Sequence, residues 1–187
     1  FIKARAIAGD IELGERFLEM LEPFVYRRHL DYGAIESLRE MKLLINRQVE
    51  LNELQDDLKL GPGGIREVEF IAQVHQLIWG GNNEKLRERR LLKVLGVMAD
   101  EQLLPLEEID RLKEAYVFLR NSEHVIQGEK DRQTHQLPAD EISMGNLADA
   151  MGFTEQALYQ QALAVHRDHV NSCFNSLMSS SQAEHEV

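Results

Sequence analysis

Apolar residues along this chain recur at three- and four-residue spacing, and the alternation expected of a half-buried strand is missing over any strand-length window. The spacing predicts helices over about Glu12–Leu21, Ile35–Gln55, Ile65–Trp79, Glu84–Ala99, Leu106–Gln127, Asp140–Met151 and Thr154–Met178. Pro23 is expected to stop the first, because proline lacks an amide hydrogen and constrains the residue before it. Gly80-Gly81 after Trp79 offers a left-handed helix end, Asn82 or Asn83 can cap the next helix, and Thr154 can cap the last one. Residues 179–187 are small and polar and are expected to fray. With no repeat or low-complexity linker, the expectation is all-α: a single compact helical bundle of about six to eight helices over residues 11–178.

The pattern also marks conflicts. In Ile65–Trp79 apolar residues cover most of the circumference, which predicts a central helix, and Arg66, Glu69, Gln73 and Gln76 form its narrow polar stripe. That stripe must meet either solvent or a polar site. Glu67 falls among Ile71, Val74 and Ile78, where an unpaired carboxylate would cost several kcal/mol, so an arginine or lysine partner is expected. In Leu106–Gln127, Glu123 falls between Leu112 and Tyr116 on the inward face, with Arg120 one turn before it. Lys42 likewise shares the face of Ile35, Leu38, Met41, Ile45 and Val49. The structural reading of Glu67, Arg120, Glu123 and Lys42 is a set of interhelical ion pairs that fix packing register.

Composition narrows the class. The 187 residues hold 43% hydrophobic and 28% charged side chains, ordinary for a folded globular chain. Acidic residues outnumber basic ones 32 to 21, and a formal charge of −11 argues against a nucleic-acid or anionic-membrane binder. No apolar run approaches the roughly 20 residues needed to cross a bilayer. The single cysteine, Cys173, excludes an internal disulfide and a cysteine-rich zinc site, which suits a reducing, cytoplasmic setting. His166 and His169 are read as a solvated helix face and Cys173 as a packing residue. No nucleophile, base and orienting group assemble in the pattern, and no metal-ligand motif is found.

Residues 24–66 are locally neutral: Arg27, Arg28, Arg39, Lys42, Arg47, Lys59 and Arg66 balance seven acids, so the rest of the chain carries the whole −11. Exposed i,i+3 and i,i+4 ion pairing is the favoured explanation of such a stretch, and an anion site is the alternative. Inside it, Lys59-Leu60-Gly61-Pro62-Gly63-Gly64-Ile65-Arg66 is a glycine-rich turn feeding a helix start, a geometry that offers amides and the positive dipole end to a phosphate. Lys59 and Arg66 flank it. The turn is neither a Walker A loop nor a dinucleotide fingerprint.

Several words of the sequence resemble one family. Pro23 to Asp31, Leu38 to Lys42, Lys59 to Phe70, Tyr116 to Arg120 with Glu123-His124, and Asp131 to Pro138 look like the bacterial glutamine synthetase adenylyltransferase/adenylyl-removing enzymes, over nearly the whole chain. The resemblance implies the helical domain that follows a nucleotidyltransferase core, with Phe1–Asp10 as the seam, and the Asp131–Pro138 word points to the first, adenylyl-removing half. It also implies Mg²⁺ and ATP or ADP as cofactors of the parent enzyme, none of them bound by this portion alone. Glutamine synthetase, the PII signal protein and the nucleotidyltransferase domain in cis are the implied partners, without nucleic acid or membrane. The family's Gly-Ser and Asp-x-Asp metal motif has no counterpart in this chain, so no catalytic residue is assigned to it. The residues implied near phosphate are Lys59, Gly63, Gly64 and Arg66, with Arg27, Arg28 and Lys42 behind them. A pure interaction module that touches no nucleotide is the alternative expectation.

Overall fold

The computed structural model of the chain describes residues 1–28, 40, 43, 44, 47, 49, 51, 54–130 and 134–180. The expected all-α class is observed. Among the described residues there are six α-helices: α1 (Ile11–Val25), α2 (Ile65–Trp79), α3 (Leu91–Asp100), α4 (Leu106–Lys130), α5 (Glu141–Ala150) and α6 (Gln156–Ser180). Two short 3₁₀ helices, Leu54–Asp56 and Glu84–Arg87, join them. The described positions between 40 and 51 are helical as well. No strand forms among the described residues, and extended pairing is limited to one isolated antiparallel bridge between Asp57 and Gln136. No helix there is long and apolar enough to cross a membrane.

The chain forms two compact units, Phe1–Ile35 with Ala72–Ile109, and Glu36–Ile71 with Asp110–Val187. In the first unit, α1 is capped by Asp10, whose side chain accepts from the Leu13 amide at 3.0 Å. Pro23 does not stop it. The helix continues to Val25, and the Tyr26 amide bonds the Glu22 carbonyl at 2.7 Å, so the turn closes beyond the ring. A proline this near the end removes one bond of the ladder without breaking the rest.

The single helix expected over Glu84–Ala99 is divided. Asn83 caps the 3₁₀ turn Glu84–Arg87, Glu88 is extended, and α3 begins at Leu91. The Glu88 carboxylate accepts from the Arg89 and Arg90 amides and from the Arg90 guanidinium, which satisfies the donors at the break. From α2, the buried Gln76 side chain donates to the carbonyls of Leu86 and Glu88, so the break is held on both sides. Leu86, Leu91, Val94, Leu95, Met98 and Ile109 are buried apolar residues of this unit's later elements.

In the second unit, Leu58 and Ile65 beside the glycine turn join Leu119 and Ile126 of α4, Met144, Leu147 and Ala148 of α5, and Tyr159 and Leu163 of α6 in one apolar cluster. Phe118 stacks on Tyr159 at 5.6 Å, and Phe153 meets both edge-on. The fully buried Tyr159 hydroxyl donates to Ser122 Oγ at 3.1 Å. Burial pushes this phenol up, against the opposing effects of Ser122 and Arg167. The last helix starts at Gln156, where the Glu155 carbonyl accepts from Leu158 and Tyr159, so the cap position falls on Glu155, one residue after the expected Thr154. It ends at Ser180, two residues into the stretch expected to fray.

Candidate functional site

The glycine-rich turn is built by internal hydrogen bonds that leave its amides engaged. The Asp57 carboxylate accepts from the Lys59 amide at 2.8 Å and the Leu60 amide at 2.7 Å. The Gly61 amide bonds the Asp57 carbonyl, Gly64 bonds Gly61, Ile65 bonds Leu58, Arg66 bonds Lys59, and Glu67 bonds Gly64. The Leu58 amide reaches the His135 carbonyl and the Leu137 amide the Asp56 carbonyl, which ties the turn to residues 135–137. The Gly63 amide donates to Glu67 Oε2 at 2.9 Å, in a buried bond. The anion at the start of α2 is therefore the chain's own carboxylate, placed where the helix dipole favours it.

Helix α6 closes over the turn. Gly63 has φ +69, and a Cβ there would collide with the Arg167 backbone. The Arg167 guanidinium donates to the Pro62 carbonyl at 2.8 Å through Nε and to the Gln55 carbonyl at 2.6 Å through Nη2. Burial pushes Arg167 down from the ordinary arginine range, while Asp56, Glu67, Asp57 and Asp168 act in the opposite direction. One turn later, the Asn171 amide lies 3.4 Å from both Glu67 oxygens. Glu67 thus accepts from Gly63 and Asn171, and Arg167 interacts with it electrostatically.

A second polar cluster surrounds Glu123, which is 2% exposed. Arg120 Nη1 donates to Glu123 Oε2 at 2.8 Å, and His135 Nδ1 lies 2.8 Å from Glu123 Oε1. Arg120 also reaches Glu69 at 3.3 Å and the Tyr116 hydroxyl at 3.2 Å. Burial alone would lower the Arg120 guanidinium, but the hydrogen bonds to Glu123 and Tyr116 outweigh it and raise it. The polar stripe of α2 accordingly meets protein over part of its length, through Glu69 and the buried Gln76, while Arg66 is exposed.

Of the residues implied near phosphate, Lys59, Gly63, Gly64 and Arg66 lie together at the turn in the second unit, with Arg66 exposed and Lys59 half-buried. Arg27 and Arg28 belong to the first unit and are exposed, and the Arg28 carbonyl accepts from Asn82 at 3.4 Å. Lys42 lies outside the described residues. Sequence reasoning missed Arg167, Asp57 and His135. For Arg167 the signal was register, since it falls in step with Tyr159, Leu163, Val170 and Phe174 on the inward face of α6. His166, expected on a solvated face, packs its ring on Phe118 at 4.7 Å, because that face of α6 meets the aromatic cluster. Burial pushes it down, with Glu114 opposing and His169 adding to the shift. His169 Nε2 lies 3.6 Å from the Cys173 sulfur. Among the described residues, no three His, Cys, Asp or Glu side chains gather as metal ligands.

A family model described as GlnD PII-uridylyltransferase matches residues 39–178. The chain is 47% identical over 178 residues to the bifunctional glutamine synthetase adenylyltransferase/adenylyl-removing enzyme of Hahella chejuensis (strain KCTC 2396), covering 95% of this chain and 18% of that protein. The enzyme of the same description from Nitrosococcus oceani is also 47% identical over 178 residues, with the same shares. That of Pseudomonas aeruginosa is 46% identical over 178 residues, again 95% of this chain and 18% of the relative. The chain therefore spans less than a fifth of the length of these relatives.

Proposed function

Because this chain belongs to the family described as GlnD PII-uridylyltransferase, we propose that it serves as a helical accessory portion of a larger nucleotidyltransferase. The family description and the relatives' names differ in the nucleotidyl group and in the protein named, and they share nucleotidyl transfer onto a protein. The relatives are bifunctional, adenylyltransferase and adenylyl-removing, so the finer reading is support of AMP transfer to, or its phosphorolytic removal from, a glutamine synthetase tyrosine. We assign the chain to the first, adenylyl-removing half, in a cytoplasmic enzyme of nitrogen regulation. The observation that carries the reading is identity of 47% running through 95% of the chain.

The turn supports this role as a rigid mount. Its amides are engaged, so any phosphate beside it would be met by the side chains of Lys59 and Arg66 rather than by a backbone cradle. Mg²⁺ and ATP or ADP are assigned to the neighbouring nucleotidyltransferase domain on this reading. The test is nucleotide affinity and deadenylylation by the longer enzyme carrying Lys59→Ala or Arg66→Ala. Loss of either property with the fold intact is the expected result; full activity in both variants rejects the site.

The engaged amides also favour a second reading, a module that binds glutamine synthetase or the PII signal protein without touching nucleotide. Capture of either protein by the 187-residue chain, with affinity unchanged by Lys59→Ala and Arg66→Ala, is the outcome that reading expects.

A further inference from the structure

Helix α1 buries none of its own side chains. At about 100° per residue its positions divide into three faces. Glu12, Glu15, Arg16, Glu19 and Glu22 form a charged one. Leu18, Leu21 and Val25 form a half-buried one, which with Tyr26, Arg87 and Arg89 lines a cleft of about 390 Å³ in the same unit. The third face is apolar and exposed: Leu13 is 61% exposed, Phe17 52%, Met20 61% and Phe24 71%. Spacings of four, three and four residues make this a strict a/d seam, the pattern by which one helix receives another. Two phenylalanines and a methionine in four positions are also the side chains that dominate association energies.

We propose that this seam docks an amphipathic helix contributed by the same polypeptide outside these 187 residues. The proposal rests on the reading of the chain as a portion of a longer enzyme. Two observations choose this occupant over a second copy of the chain. The four side chains offer at most about 500 Å² per partner, against roughly 800 Å² per partner in a stable specific complex. A tethered helix needs less, because its effective concentration is on the order of millimolar. In addition, the chain spans 18% of its relatives, so most of their length lies outside it and is available to supply the helix.

The test places the photo-cross-linking residue p-benzoylphenylalanine at Met20 of this portion within the full-length polypeptide, where the wild-type side chain is exposed. After irradiation, an intramolecular cross-link at monomer mass to a helical peptide outside residues 1–187 is expected. Phe17→Ser in the same protein is expected to abolish that cross-link and to speed amide exchange across α1. A cross-link between two copies, one confined to residues 1–187, or none at all overturns the proposal. Nucleotidyl transfer by the same preparation is read separately: transfer retained without the cross-link rejects the seam alone, while the cross-link without any transfer retains the seam and rejects the enzymatic reading.

Discussion

A methyl group at position 63 has nowhere to go. The backbone there is left-handed, which costs a non-glycine residue about 1–2 kcal/mol, and the Arg167 backbone already occupies the direction in which a Cβ would point. Gly63→Ala is therefore expected to destabilise the chain by more than about 2 kcal/mol in urea denaturation. Gly96 in α3 is the control: a Cβ there meets nothing within 4 Å, and Gly96→Ala is expected to stabilise by about 0.5–1 kcal/mol. Arg167→Ala removes the donors to the Pro62 and Gln55 carbonyls and is expected to cost about 2–4 kcal/mol, with little rescue by lysine, which lacks the planar fork. The glycines of this turn were legible from their sequence because they cluster before a helix start. For Arg167 only the inward register on α6 was legible, because its partners lie more than a hundred residues away in the chain and no local pattern names them.

At the scale of elements, Glu88 shows what periodicity leaves out. Leu91, Val94, Leu95 and Met98 keep helical spacing and neither proline nor glycine separates Leu91 from Leu86, so the pattern predicts one helix, yet the backbone interrupts it where Glu88 and Gln76 offer better partners. Hydrogen bonds from Arg90, first among the causes, hold the Glu88 carboxyl down to about 2. For a carboxylate lowered on folding, the contribution to stability is present above the unfolded value of about 4.3 and fades as pH falls toward 2. An NMR titration of the Glu88 side chain is expected to give a midpoint near 2, and Glu88→Gln to fray the first turn of α3; a midpoint near 4 refutes the cap. His166 in α6 behaves with the same sign for a different reason. Burial against Phe118 lowers it, so its contribution is present above about 6.5 and is lost as pH falls below that value. Ring-proton shifts of His166 that reach their midpoint below 6.5 check this. The helix itself was legible, and the packing of His166 was not, because both faces of α6 carry polar residues and only the tertiary contact with Phe118 tells them apart.

Across the whole molecule, the described side chains solve their own polar requirements: no buried nitrogen or oxygen among them lacks a partner. On the proposed reading, a fold complete in this sense contributes to the larger enzyme through what it leaves on its surface. Two features meet that condition, the apolar seam of α1 and the cationic pair at the turn, and they predict different mutational signatures. Arg66 is exposed, so Arg66→Ala is expected to shift stability by no more than about 0.5 kcal/mol, and the half-buried Lys59 by about 1 kcal/mol at most. Arg167→Ala acts through the core of the turn and is expected to lower stability and activity together. The three variants thus separate a mount from a contact. If Lys59→Ala and Arg66→Ala weaken deadenylylation by the longer enzyme while their denaturation midpoints stay with the wild type, the side chains touch the reacting phosphate or its neighbour. If activity falls only in step with stability, across Arg167→Ala and Gly63→Ala as well, the turn acts as scaffold alone. All four positions lie within one turn and the helix packed on it, so local geometry is held constant while exposure changes.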